Sequence, residues 1–271
     1  MSEKRQLPPS ALEQLHRDLE ALKLPAMKAV LDQVLETAQK TEQGYITFLA
    51  ELVKAELLAR GETSASRRLK AAGFPMTRTF DSFDWHFQAG LNVALARDLM
   101  SLHFVEQGRP VLLLGRPGVG KTHLMLAYGH LAALRGYRVR YFNASRLLER
   151  LYAALADATL DTLLRKLSRV DLLLIDDLRD LPGRLEYASL LFDLIDARHL
   201  KRSVMLSSNL SVNDWGKALG NPTLVAALVD RLMERAHILN IRRGRSYRLE
   251  GPDAPCRQDQ PQVVALGDDE S

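Results

Sequence analysis

Up to about residue 75 the apolar residues return every three or four positions: Leu12, Leu15, Leu19 and Leu22, then beyond Pro25 Met27, Val30, Leu31, Val34 and Leu35, then beyond Gly44 Tyr45, Phe48, Leu49, Leu52 and Val53. That spacing lays a stripe along one face of an α-helix. It predicts four helices, the last ending at Gly73 and Pro75. Ser10-Ala-Leu-Glu13 has the form of a capping box for the first, each side chain satisfying a free backbone N–H. Residues 1–75 are therefore expected to form a small all-α domain. After a connector at 76–105 the rhythm changes. Short apolar runs, Val111 to Leu114, Val139 to Phe142, Leu172 to Ile175 and Val204 to Leu206, alternate with helical stretches. Such alternation predicts a parallel sheet covered by helices on both faces, an α/β domain over 106–249.

Gly115-Arg116-Pro117-Gly118-Val119-Gly120-Lys121-Thr122 follows the first of these runs directly and opens the helical stretch His123 to Arg135. This is a complete phosphate-binding loop in its proper strand-to-helix setting. Glycines let the backbone wrap with its N–H groups inward, and the helix N-terminus adds its positive dipole end. Lys121 is placed to reach the β and γ phosphates of ATP, and Thr122 to ligate Mg²⁺, with His123 next in line. Residues 115–123 form the expected cofactor-binding set. Asp171-Leu-Leu-Leu-Ile-Asp176-Asp177 is an apolar strand that delivers two acids where open α/β sheets bind ligands. Asp176 is expected to share the Mg²⁺ sphere with Thr122, and Asp177 to orient or deprotonate the attacking water. The bland alternative is that this pair caps the next helix.

Val204-Met-Leu-Ser-Ser-Asn209 places Asn209 at a strand end, where it could bond the γ-phosphate or lytic water, or could simply make an Asx turn. The connector concentrates Phe80, Phe83, Trp85 and Phe87 in a chain with 6% aromatics. Core packing is one reading of that cluster, and a face against the adenine base is the other.

Composition narrows the class. A chain of 271 residues, 46% hydrophobic and 26% charged, holds one sizeable core and a smaller module beside it. Neither a long apolar run nor a secretory leader is present, so a cytoplasmic protein without a membrane partner is expected. Cys256 is a lone thiol in a polar tail, with neither a disulfide partner nor a zinc cluster around it. The net charge is +4, unevenly spread. Arg60, Arg67, Arg68, Lys70 and Arg78 cluster against a single Glu62, and six arginines, among them Arg242, Arg243 and Arg245, cluster between Arg231 and Leu249. Either group could neutralise DNA phosphates without reading sequence, or could be a solvated face. Residues 250–271 reverse the sign and carry three prolines, the pattern of a disordered acidic tail.

The words between these motifs resemble the IstB family, the ATPase helpers of insertion-sequence transposition, which are related to the DnaC helicase loaders. The resemblance rests on Leu22-Lys-Leu-Pro-Ala-Met, Phe83-Asp-Trp, Gly118-Val-Gly-Lys-Thr-His-Leu, Leu174-Ile-Asp-Asp-Leu, Ser208-Asn-Leu with Trp215-Gly, Leu228-Val-Asp-Arg-Leu and Ser246-Tyr-Arg. It implies an AAA+ P-loop NTPase domain behind a helical domain, which together bind duplex DNA, assemble as a homo-oligomer with ATP and present the target to a transposase. It also carries roles onto Lys121, Thr122, Asp176, Asp177 and Asn209, and onto Arg231 as a finger reaching a neighbouring subunit's ATP. An ordinary salt bridge is the rival reading of Arg231. In such ATPases the place of Asp177 is more often held by Glu, which predicts slow hydrolysis here. Such proteins also usually carry glycine after the Asp-Asp-Leu word, where this chain has Arg179. A loader of a replicative helicase is the alternative implied function. A small-molecule kinase and an ATP-binding filament without turnover use the same loop, and the separate helical domain fits the kinase poorly.

Overall fold

The computed structural model describes residues 9–88, 90–179, 186–241 and 244–250. The chain falls into two compact units, Met1–Arg67 and Arg68–Ser271.

In the first unit α1 (Pro9–Ala21), α2 (Pro25–Thr41) and the start of α3 (Tyr45–Ala72) pack around Leu19, Leu31 and Leu52. Ser10 lies inside α1, not at its N-cap, because the helix already includes Pro9. The third and fourth predicted helices are one helix of 28 residues. Gly61 sits in its interior, where a glycine costs only about 1 kcal/mol, too little to end a long helix. Pro25 does not interrupt a helix but starts one, at the position where its missing N–H is harmless. The α2 N-terminus has no side-chain cap of its own. Buried Glu56 of α3 replaces it, accepting from Ala26 N at 2.9 Å and Met27 N at 3.2 Å while Arg60 Nε donates to its other oxygen at 2.8 Å. Burial would raise this carboxyl's pKa, but those hydrogen bonds outweigh it and hold it below the usual range.

The second unit is built on five parallel strands in the order β2-β3-β4-β1-β5. They are β1 (Val111–Gly115), β2 (Val139–Asn143), β3 (Leu172–Leu178), β4 (Ser203–Ser208) and β5 (His237–Ile241). The edge strand β5 escaped the sequence reading, since His-Ile-Leu-Asn-Ile is short and polar at its exposed Asn240. Side chains leave a strand alternately to its two faces, and each face has its own core. Leu112, Leu114, Leu173, Ile175, Val204 and Leu206 meet α7 (Ala144–Ala156), α8 (Leu160–Ser168), α9 (Glu186–Arg198) and α11 (Pro222–Met233), with the four-residue α10 (Trp215–Ala218) placing Trp215 among them. Val111, Leu113, Leu172, Leu174, Met205 and Leu239 meet α6 (Lys121–Leu134).

The connector belongs to this second core. Phe83, Leu91 and residues of α4 (Val93–Asp98) and α5 (His103–Glu106) are buried with α6, and the Tyr128 hydroxyl donates to Ala96 O at 2.5 Å. Close approach of α6 to the sheet needs Gly129, where a Cβ would stand 2.5 Å from Leu174 Cδ1. Among the described residues no helix is long and apolar enough to cross a membrane. Of the predicted tail only Glu250, in the short α12 (Tyr247–Glu250), is a described residue.

Candidate functional site

Gly115, Asp176, Ser208 and Ile241 end or nearly end four adjacent strands, because parallel pairing in register carries all of them to one sheet edge. Residues 116–120 leave β1 there and turn back into α6. Gly118 and Gly120 take φ of 82° and 94°, left-handed values that side-chain-bearing residues rarely adopt. Lys121, 9% exposed, curls over this loop with Nζ donating to Gly115 O at 2.8 Å and Arg116 O at 2.9 Å. Arg116 and Pro117 are exposed on the loop's outer side, and Val119 is fully buried beneath it.

Thr122, in the first turn of α6, donates its hydroxyl to Asp176 at 2.9 and 3.1 Å. Asp176 is 4% exposed and also accepts from the Tyr141 hydroxyl at 3.0 Å and from that of Ser207. Burial, with the Asp176 charge and hydrogen bond beside it, pushes the Tyr141 hydroxyl well above the usual phenol range, so it stays a proton donor to the carboxylate. Tyr141 and Ser207 were not among the residues expected at the site. Their signal is positional: each sits on a strand neighbouring β3, within two residues of its acidic end in the pairing register.

Past Asp176 the β3–β4 register shifts between Ile175 and Leu178, and Asp177 takes φ 63°. The Ser207 hydroxyl accepts from Asp177 N at 2.8 Å, so one serine ties both acids to β4. The bulge turns the Asp177 side chain outward, where Arg179 pairs with it. Asn209 is exposed just beyond β4, and the turn after it is closed by Ser208 Oγ, accepting from Leu210 N at 3.1 Å.

His123 turns away from the loop, its Nε2 lying 3.0 Å from Thr79 O and 3.3 Å from Ser82 Oγ. Burial lowers its pKa, which keeps the ring neutral at neutral pH. Phe83 lies edge-on to His123 at 5.2 Å and against Gly120, so the connector aromatics buttress the loop from the α6 side. On the other flank Tyr247 N donates to Gly118 O at 3.0 Å, and a Cβ on Gly118 would run into the Ser246 hydroxyl.

Arg231 lies at the opposite sheet edge. It lines a small cavity of about 10 Å³ with Pro110, Arg198, Arg202 and Val204, beside the beginnings of β1 and β4. Its Nε bonds Asp196 Oδ1 at 2.5 Å and its guanidinium stands 4.8 Å from the Phe192 ring centroid. Within one chain Arg231 is thus a salt bridge and stays remote from its own phosphate loop.

The family profile described as IstB-like ATP binding protein matches residues 17–253. The chain belongs to the IstB-like ATP-binding family. A relative in Pseudomonas aeruginosa, the ATP-binding protein of insertion sequence IS21, is 38% identical over 232 residues, 86% of this chain and 87% of that one. Among solved structures, AMPPCP-bound DnaA from Aquifex aeolicus is similar with a TM-score of 0.52 at 25% identity, over 65% of this chain and 53% of that one. The DnaC helicase loader is similar with a TM-score of 0.51 at 22% identity, over 65% of this chain and 99% of that one. These neighbours mark the fold as that of the AAA+ P-loop ATPases.

In this IstB-like ATP-binding chain the loop at 115–122 has the form and the setting of a phosphate-binding loop. The donors beside it suit Mg²⁺, which characteristically takes one or two protein oxygens and completes its shell with phosphates and water. Thr122 and Asp176 supply such oxygens. The residues expected to touch DNA scatter. Arg67 and Lys70 are exposed, while Arg68 Nε donates to Ala133 O at 2.7 Å, near the C-terminus of α6. Arg245 stacks over Phe87 at 4.8 Å, and Arg242 and Arg243 lie outside the described residues.

Proposed function

We propose that this chain hydrolyses ATP, assembles with further copies of itself on duplex DNA and assists a transposase. One observation carries the ATPase part: Thr122 Oγ1 stands 2.9 Å from Asp176 at the mouth of a complete phosphate loop, the pairing a Mg²⁺–nucleotide complex requires. Lys121 exchanges its two loop carbonyls for phosphate oxygens, stronger partners for an ammonium because both sides are charged. Thr122 and Asp176 would hold Mg²⁺, which would supply charge neutralisation to the phosphates. Asp177 orients the attacking water once its pairing with Arg179 opens, and a carboxylate engaged in that way fits slow turnover. Arg231 reaches a neighbouring copy's ATP by giving up Asp196. DNA and transposase as partners are supported by the insertion-sequence setting of the relatives.

The test is phosphate release with and without duplex DNA, with assembly on that DNA watched by electron microscopy. ATP-dependent assembly and DNA-stimulated release are expected, and Lys121→Ala should abolish both by removing ATP binding. Unchanged nucleotide affinity in Lys121→Ala would sink the site. A protein that instead opened a helicase ring without binding duplex would be a loader.

A further inference from the structure

The sheet edge opposite the phosphate loop buries a cation that no acid pairs with among the described residues. Arg198, the last residue of α9, is wholly buried. Its two terminal nitrogens donate to Leu167 O at 2.5 Å and Ser203 O at 2.6 Å. Nε is left over, buried and without a hydrogen-bond partner. Carbonyls satisfy donors but do not neutralise a charge, and a buried charge is costly until an opposite one joins it.

The acids nearby are engaged elsewhere. Asp171 holds Arg202, Asp196 holds Arg231, and Glu234 Oε2 lies 3.0 Å from His199 Nε2. Arg109, Arg198, Arg202, Arg231 and Arg235 all line the cavity of about 10 Å³ beside the start of β4, and Glu234 is the one carboxylate among its described lining residues. That lining runs from buried Arg198 and Val204 to exposed Arg202 and Arg235, so the cavity reaches the surface. Its volume admits about one water-sized atom. A water there would pair with Nε and leave the charge standing. An anionic oxygen does both, through a charge-assisted bond stronger than a neutral one.

We propose that this cavity is a phosphate site, separate from the nucleotide loop: Arg198 Nε takes one oxygen of a phosphate group, and Arg109 and Arg235 hold the others at the rim. Free phosphate and the phosphodiester of DNA present the same oxygen. Guanidinium groups suit it because their rigid forks match phosphate geometry.

The test is calorimetric titration of inorganic phosphate into the full chain carrying Lys121→Ala, without nucleotide, so that the phosphate loop is weakened as a rival. Binding should persist there. Adding Arg109→Gln and Arg235→Gln together should weaken it about tenfold, the scale of one charge-assisted hydrogen bond. Lys201→Gln removes an exposed cation of the same edge that does not line the cavity, and should change nothing. Absence of phosphate binding in the Lys121→Ala chain overturns the proposal. So does an undiminished affinity in the Arg109 and Arg235 double variant, or an equal loss with Lys201→Gln, which would mark diffuse charge. Arg198→Met should abolish binding, and where its melt shows a failed fold the double variant decides. Anisotropy of a short labelled duplex then assigns the source. A parallel loss in the double variant assigns the site to DNA phosphates, and an unaltered duplex affinity assigns it to the free ion.

Discussion

The two edges of one parallel sheet handle charge in opposite ways. At the edge where the strands end, Asp176 is held by three neutral hydroxyls, from Thr122, Tyr141 and Ser207, and Lys121 rests on two carbonyls. At the edge where they begin, cations are fastened down. Asp171 holds Arg138 and Arg202, Asp196 holds Arg231, and the wholly buried Arg198 donates to Leu167 O at 2.5 Å and Ser203 O at 2.6 Å. Neutral donors position an acid while leaving its charge for a metal and phosphates. Ion pairs and buried guanidinium bonds spend charge on joining segments. The difference separates chemistry from fastening along the same five strands.

Removing a fastener should therefore affect stability and spare the nucleotide. Arg198 ties the α8–β3 turn to the start of β4, and burial, with Arg202 close by, pushes its pKa down to about 9. Arg198→Met leaves both carbonyls without their donor and should cost about 3 kcal/mol in a denaturant titration, since bonds to a charged group are worth more than neutral ones. ATP affinity should hold, and a matching loss there would break the division between edges. Tyr141→Phe is the converse case. It removes one hydroxyl from Asp176 and should lower phosphate release at saturating ATP by about tenfold, the usual scale for a residue that orients a metal ligand. Melting temperature and ATP affinity should barely move, and an unaltered rate would show that Thr122 and Ser207 position the acid alone.

Arg231 offers the smallest effect and the finest distinction. Its pair with Asp196 is partly exposed, so Arg231→Ala and Asp196→Ala should each cost under about 1 kcal/mol. If Arg231 serves a neighbouring copy, only Arg231→Ala slows turnover, and only at protein concentrations that support assembly. Equal behaviour of the two variants would leave it a fastener.

Much of the site could be read directly from the chain because its chemistry is written in consecutive residues. The loop at 115–122 and the acids at 176–177 are each one word, and the strand-to-helix alternation around them was legible for the same reason. What sequence left hidden is what the fold assembles from afar. Tyr141 looks like a strand aromatic and Ser207 like a strand polar residue until β2, β3 and β4 align. Glu56 looks like a solvated helix acid, yet it caps α2 from 29 and 30 positions away. The third and fourth expected helices run on as one α3, because nothing between them, Gly61 included, costs a long helix enough to end it. Arg245 was grouped with its basic neighbours, and sequence alone does not show that its carbonyl and its stacking on Phe87 tie it to the connector.

Ser246 and Tyr247 close against Gly118 from the last few residues before the acidic tail. For protein engineering this makes residues 246–247 part of the loop's support. A purification tag or fusion partner joined before Glu250 would be an edit to the phosphate loop, and its first expected symptom is a changed nucleotide dissociation rate in a protein that still melts normally.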